Sequence, residues 1–190
     1  MKRSAIAAVR AFASRPPLEE ERCEFCGHAV AESHAHVIDA SGAPRCACTA
    51  CALLFPEHRD AQYRRLESHA EKLTTEVCTQ EQWAALGVPV GLAWLFRDGR
   101  DGRVRVQYPG AAGAVEARLD PASTPALATL KPGVEAFLVR DVHAQRECWR
   151  VSIDHCWRLA GLLRKHWRGF DGGAEVHARV GAFFKTLADD

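Results

Sequence analysis

The sequence predicts an α+β fold in which a small metal-knuckle module, of zinc-ribbon or rubredoxin-like type, packs on a mixed sheet of about five strands with C-terminal helices. Three observations carry this. Residues 22–55 hold five of the eight cysteines. Residues 90–153 break into apolar or alternating runs separated by turn signals, as strands do. Residues 154–187 carry apolar side chains at spacings of three and four, as amphipathic helices do.

The knuckles come first in the chain. In Cys23-Glu24-Phe25-Cys26-Gly27 two thiols two residues apart reach one ion only if the backbone turns sharply between them, and Gly27 follows where a positive φ is often needed. Cys48-Thr49-Ala50-Cys51 supplies a second pair, completing C-x2-C-x21-C-x2-C. Four thiolates at this spacing make a closed tetrahedral site, so Cys23, Cys26, Cys48 and Cys51 are the expected ligands. Zinc suits such a site best, and iron is the alternative. A rubredoxin-type iron site usually has glycine after both knuckles, whereas Ala52 follows the second one here.

Cys46 is left over from this set. On a strand leading to the second knuckle it shares a face with Cys48, and His34 and His36 alternate in the same way on a partner strand. Cys46 could replace Cys48 as a ligand or be a free thiol, and Cys46, His34 and His36 could form a second, open ligand cluster; otherwise the histidines are hairpin surface or hydrogen-bond to the thiolates. His28 is a weaker substitute ligand. Cys51-Ala52-Leu53-Leu54-Phe55 continues apolar from the last ligand and is expected to pack on the larger domain.

The rest of the larger domain reads in order. Val90–Phe96 is a buried strand, Asp98–Gly102 a turn, and Val104, Val106 and Tyr108 one face of the returning strand. Val115–Leu119 adds a third strand, Pro121–Leu130 a short helix, and Val134–Val139 and Cys148–Ile153 two more strands. Cys156, Leu159, Ala160, Leu163 and Trp167 stripe one helix, with Asp154 placed to cap it. Val176, Val180, Phe183, Phe184 and Leu187 stripe the last. Cys148 and Cys156 then read as small buried hydrophobes. The segmentation is 1–21 N-terminal arm, 22–56 metal-knuckle module, 57–82 connector and 83–190 α+β domain.

Composition narrows the function. The 25 Lys and Arg residues against 24 Asp and Glu leave a net charge of +1, which argues against a dedicated nucleic-acid or acidic-membrane binder. No run approaches the ~20 apolar residues of a membrane span. Residues 1–12 begin like a signal peptide, but Arg10 cuts the apolar run and Arg15 follows. The chain is therefore expected in the cytoplasm, where thiols stay reduced and clustered cysteines point to metal before disulfides. There is no phosphate loop, nucleophile elbow or paired-carboxylate motif. An HNH-type nuclease has two such knuckles with a catalytic histidine between them, and His36-Val37-Ile38-Asp39 falls in that interval. Such enzymes need an Asn or His after the second knuckle, where this chain has Ala52-Leu53-Leu54-Phe55. No catalytic residue is assigned.

The pattern Cys23-Glu24-x-Cys26-Gly27, His34-x-His36 and Cys46-Ala47-Cys48-x-x-Cys51-Ala52-Leu53-Leu54-Phe55 resembles a bacterial domain-of-unknown-function family. The similarity continues through Tyr63-Arg64-Arg65-Leu66, Trp83, Tyr108-Pro109, Ile153-Asp154-x-Cys156, Trp167-Arg168-Gly169 and Gly172-Gly173. Members of that family are encoded beside the genes of high-affinity, oxygen-insensitive NiFe-hydrogenases. The resemblance implies an accessory role in assembly or maturation, with hydrogenase subunits or maturation factors as partners. A rubredoxin-like iron redox protein supporting maturation is the second reading, and a zinc-ribbon nucleic-acid binder the third.

Overall fold

The computed structural model describes residues 20–57, 61–74, 79–88, 91–110, 113–117, 125–142, 145–168 and 172–189. Residues 1–19 of the expected arm, and 121–124 of the expected short helix, lie outside them. Among the described residues no helix is long and apolar enough to cross a membrane.

Two antiparallel sheets organise the chain. The small one has the order β2-β1-β3, from β1 (Ala35–Asp39), β2 (Pro44–Ala47) and β3 (Tyr63–Arg65). The large one runs β4-β9-β8-β5-β6-β7. Its strands are β4 (Ala70–Leu73), β5 (Leu92–Arg97), β6 (Val104–Gly110), β7 (Gly113–Ala117), β8 (Glu135–Val142) and β9 (Gln145–Ser152). The fold is thus α+β as expected, but the large sheet has six strands rather than about five, and every pairing is antiparallel rather than mixed. The sixth strand and β3 both come from 57–82, the stretch read as a connector.

Burial explains the sequence pattern. β5 lies in the sheet interior and is covered on both faces, which is why Leu92–Phe96 is continuously apolar. Leu92, Trp94 and Phe96 face α3 (Ile153–His166) and α4 (Gly173–Asp189), together with Leu138, Val151, Leu159 and Leu187. Ala93 and Leu95 face α2 (Gln80–Ala85) and a 3-10 turn (Pro125–Thr129), with Phe137, Trp83 and Leu127. The C-terminal helices therefore cover one face only, and the other has its own lid. Each fully buried side chain of this size contributes about 1.5–3 kcal/mol.

The β5–β6 turn is fixed by one carboxylate. Asp98 accepts from the Arg100 backbone N–H (2.9 Å), from Arg100 Nη2 (2.8 Å) and from Arg105 Nε (2.8 Å). The Arg100 guanidinium leads, and despite burial these bonds hold its carboxyl far below the usual range. The unfolded chain binds that proton more readily. Asp98's contribution is therefore complete above about pH 4 and is lost as pH falls further. Asp98→Ala is expected to cost about 2 kcal/mol at pH 7 and much less at pH 2.5. Urea denaturation of both proteins at the two pH values checks this, and an equal cost at both would contradict it.

Candidate metal centre

The first knuckle is a backbone turn. Gly27 N donates to Cys23 O and Cys23 N to His28 O, each at 2.8 Å. Gly27 takes φ 73°, where any Cβ would be strained. The second knuckle forms where β2 ends. Cys48 is the N-cap of the single-turn helix α1 (Thr49–Ala52), and its Sγ accepts from Cys51 N at 3.5 Å. A sulfur here does what a Ser or Asp oxygen does at an ordinary helix start. Glu24 ties the two knuckles together. Its N–H donates to Cys46 O (2.9 Å), and its Oε1 accepts from Cys46 N (2.8 Å).

The four expected sulfurs converge. Those of Cys23, Cys26, Cys48 and Cys51 lie within 4.8 Å of one another. Cys26 Sγ and Cys48 Sγ are 3.8 Å apart. A tetrahedron with metal–sulfur bonds of ~2.3 Å has edges of about 3.8 Å, whereas a disulfide needs ~2.05 Å. This four-cysteine cluster can hold a metal ion.

Its electrostatics favour a cation. Burial alone would raise the Cys23 thiol, but the amides of Cys48, Phe25 and Cys26 outweigh that and bring it down to about 6. Cys51 goes the other way, pushed up to about 12 by the neighbouring sulfurs of Cys26 and Cys48 and by burial. Backbone donors thus welcome one negative charge, and sulfur crowding resists the next. A divalent ion among them removes that repulsion. The surrounding module cannot supply the stability itself. Among the described residues, its own core cluster is Val37, Ala47 and Ala52, with Phe25, Ala35, Phe55 and Tyr63 packed against them.

His34, His36 and Cys46 form a second group whose ligand atoms also lie within 4.8 Å of one another. The register pairs His36 with Cys46, so alternation places both on the sheet face opposite Val37 and Ala47. That face meets α3. The expected hairpin surface is corrected here: His34 and His36 are only 8% and 9% exposed. The Asp154 carboxylate reaches across from α3, its Oδ1 accepting from His36 N (3.0 Å) and His36 Nδ1 (2.8 Å). Its Oδ2 pairs with Arg158 at 2.6 Å. Asp154 is therefore not the expected helix cap. Ser152 holds that position, without a side-chain capping bond. Burial would raise the Asp154 carboxyl, but His36 and Arg158 keep it below the usual range.

The other candidates separate from these groups. His28 is exposed, and its main chain serves the first knuckle. Cys148 and Cys156 are buried in the two main cores. Cys78 and His143 lie outside the described residues. His166 sits 2.6 Å from Glu32 and 3.2 Å from Glu175, tying the region after the first knuckle to α4. Leu53 and Leu54 are 64% and 80% exposed, so the apolar run after Cys51 does not pack on the larger domain as expected.

No curated protein matches the chain, and no solved structure matches it. One family model does, over residues 22–190, which takes in both cysteine knuckles and both sheets: the chain belongs to the family of unknown function DUF5947.

Proposed function

We propose that the protein is a zinc-stabilised accessory factor of a NiFe-hydrogenase that acts by protein–protein contact during assembly or maturation. The hydrogenase assignment rests on the resemblance and the gene neighbourhood it implies. The observation that supports the mode of action is the pair Leu53 and Leu54, apolar, exposed, and held on the turn that directly follows Cys51. A metal that rigidifies this turn keeps two leucines in water, where they offer an apolar anchor to a partner.

The test is a double substitution, Leu53→Asp with Leu54→Asp. It is expected to leave metal content and melting temperature unchanged while abolishing co-purification with a hydrogenase subunit. Failure of the wild type to co-purify with any hydrogenase subunit, together with full hydrogenase activity in a deletion strain, would overturn the proposal.

An iron-based redox role is the second reading, favoured by the exposure of Cys26, which would bring a cluster ion to the surface. A red oxidised protein containing iron supports it, and a colourless protein containing zinc excludes it.

A further inference from the structure

We propose that His34, His36 and Cys46 constitute a second metal site, separate from the four-sulfur one, that binds a borderline divalent ion such as zinc through two imidazole nitrogens and one thiolate, with the fourth position open. Three observations carry this.

The first is tautomeric. Asp154 Oδ1 can only accept, so His36 Nδ1 carries the hydrogen in their 2.8 Å bond and Nε2 keeps its lone pair. The Ala31 carbonyl, 2.9 Å from His34 Nδ1, imposes the same choice on His34. Both rings are thus set with Nε2 as donor atom. The carboxylate–imidazole pairing at His36 is the support that metal-binding histidines usually have.

The second is an unmet need. Among the described residues His34 Nε2 has no hydrogen-bond partner, although the ring is over nine-tenths buried. Structural hydrogen bonding accounts for Nδ1 of both histidines and leaves this nitrogen with nothing. A buried acceptor is rarely left so.

The third is placement. Cys46 faces the same way as its register partner His36, and the two rings lie 4.7 Å apart. One ligand atom from each of the three residues already lies within 4.8 Å of the others. Cys46 is only partly buried, which leaves its sulfur a route to solvent. The Cys46 thiol loses its proton to solvent as the metal–sulfur bond forms, leaving the site at +1 beside the Asp154 carboxylate. Three protein ligands with an open fourth position describe a reactive or exchangeable site rather than a purely structural one.

The experiment is zinc titration of the chelator-stripped full-length chain, with bound metal counted after buffer exchange. Wild type is expected to hold two zinc ions, and Cys46→Ala and His34→Ala one each, both variants keeping a wild-type circular dichroism spectrum. Cobalt in place of zinc is expected to give one set of thiolate charge-transfer bands in Cys46→Ala and two in wild type. A wild type holding one ion, or either variant holding two, overturns the second site while leaving the four-sulfur reading intact. Cys46→Ala holding none also overturns it, by placing Cys46 in the four-sulfur site. A wild type holding none contradicts both sites.

Discussion

Cys23→Ser is expected to abolish metal binding at the four-sulfur cluster and to unfold the small sheet while the six-stranded sheet persists. Cys23 is 2% exposed, and nearby backbone amides favour its thiolate, so a serine there loses both the charge and the metal bond. Among the described residues, the separate hydrophobic cluster of the module Cys23 anchors consists of Val37, Ala47 and Ala52. Structural zinc contributes ~10–16 kcal/mol to folding in isolated finger peptides. Here the module is also held by Ile38 in the main core and by His36 on Asp154, so part of that loss is recovered. A loss of at least ~3 kcal/mol remains, which lowers the melting temperature by roughly 6–12 °C for a chain of this length. Hydrogen exchange is expected to lose protection at Val37 and Ile38 but not at Leu138 or Val139. Full metal content with wild-type exchange would refute the ligand assignment. Cys26→Ser, at an exposed ligand, should act in the same direction with less loss of packing.

Asp154→Ala is expected to have the second largest effect. One carboxylate serves His36 N, His36 Nδ1 and Arg158, with side-chain exposures near a tenth for Asp154 and His36. Its removal leaves a buried main-chain donor and an imidazole N–H unpaired, and frees Arg158 of its partner. Breaking a buried pair in this way costs about 3–5 kcal/mol. Asp154→Asn keeps an acceptor oxygen for His36 while losing the charge facing Arg158, and should cost less than half as much. Denaturant unfolding at pH 7 distinguishes the two. Equal costs would mean that the ion pair with Arg158 within α3, rather than the bonds that join His36 to α3, carries the loss.

The contrast between these two residues shows how far the sequence could be read. The convergence of the four cysteines was legible because C-x2-C carries its geometry within four residues, and β5 and β6 because their burial leaves a local pattern. Asp154 was misread as a cap because its real partner lies 118 positions away, and nothing near Ser152-Ile153-Asp154 signals it. The sixth strand was missed for a similar reason. Ala70-Glu71-Lys72-Leu73 lies at the sheet edge, where charged residues are normal, and its identity comes only from pairing with Cys148–Val151. Tyr63–Arg65 is half-buried throughout, so it shows no alternation to detect. Leu53 and Leu54 misled in the opposite direction. Apolar character implied burial, but a single helical turn buries Ala52 and half-buries Phe55 and leaves the two leucines outside.

X-ray absorption at the metal edge of the Cys46→Ala protein tests the central claim most directly, because that substitution isolates the four-cysteine cluster from its neighbour. The expected result is zinc with four sulfur neighbours at about 2.3 Å and no nitrogen or oxygen in the coordination shell. Fewer than four sulfurs, or a protein that binds no metal, would contradict it.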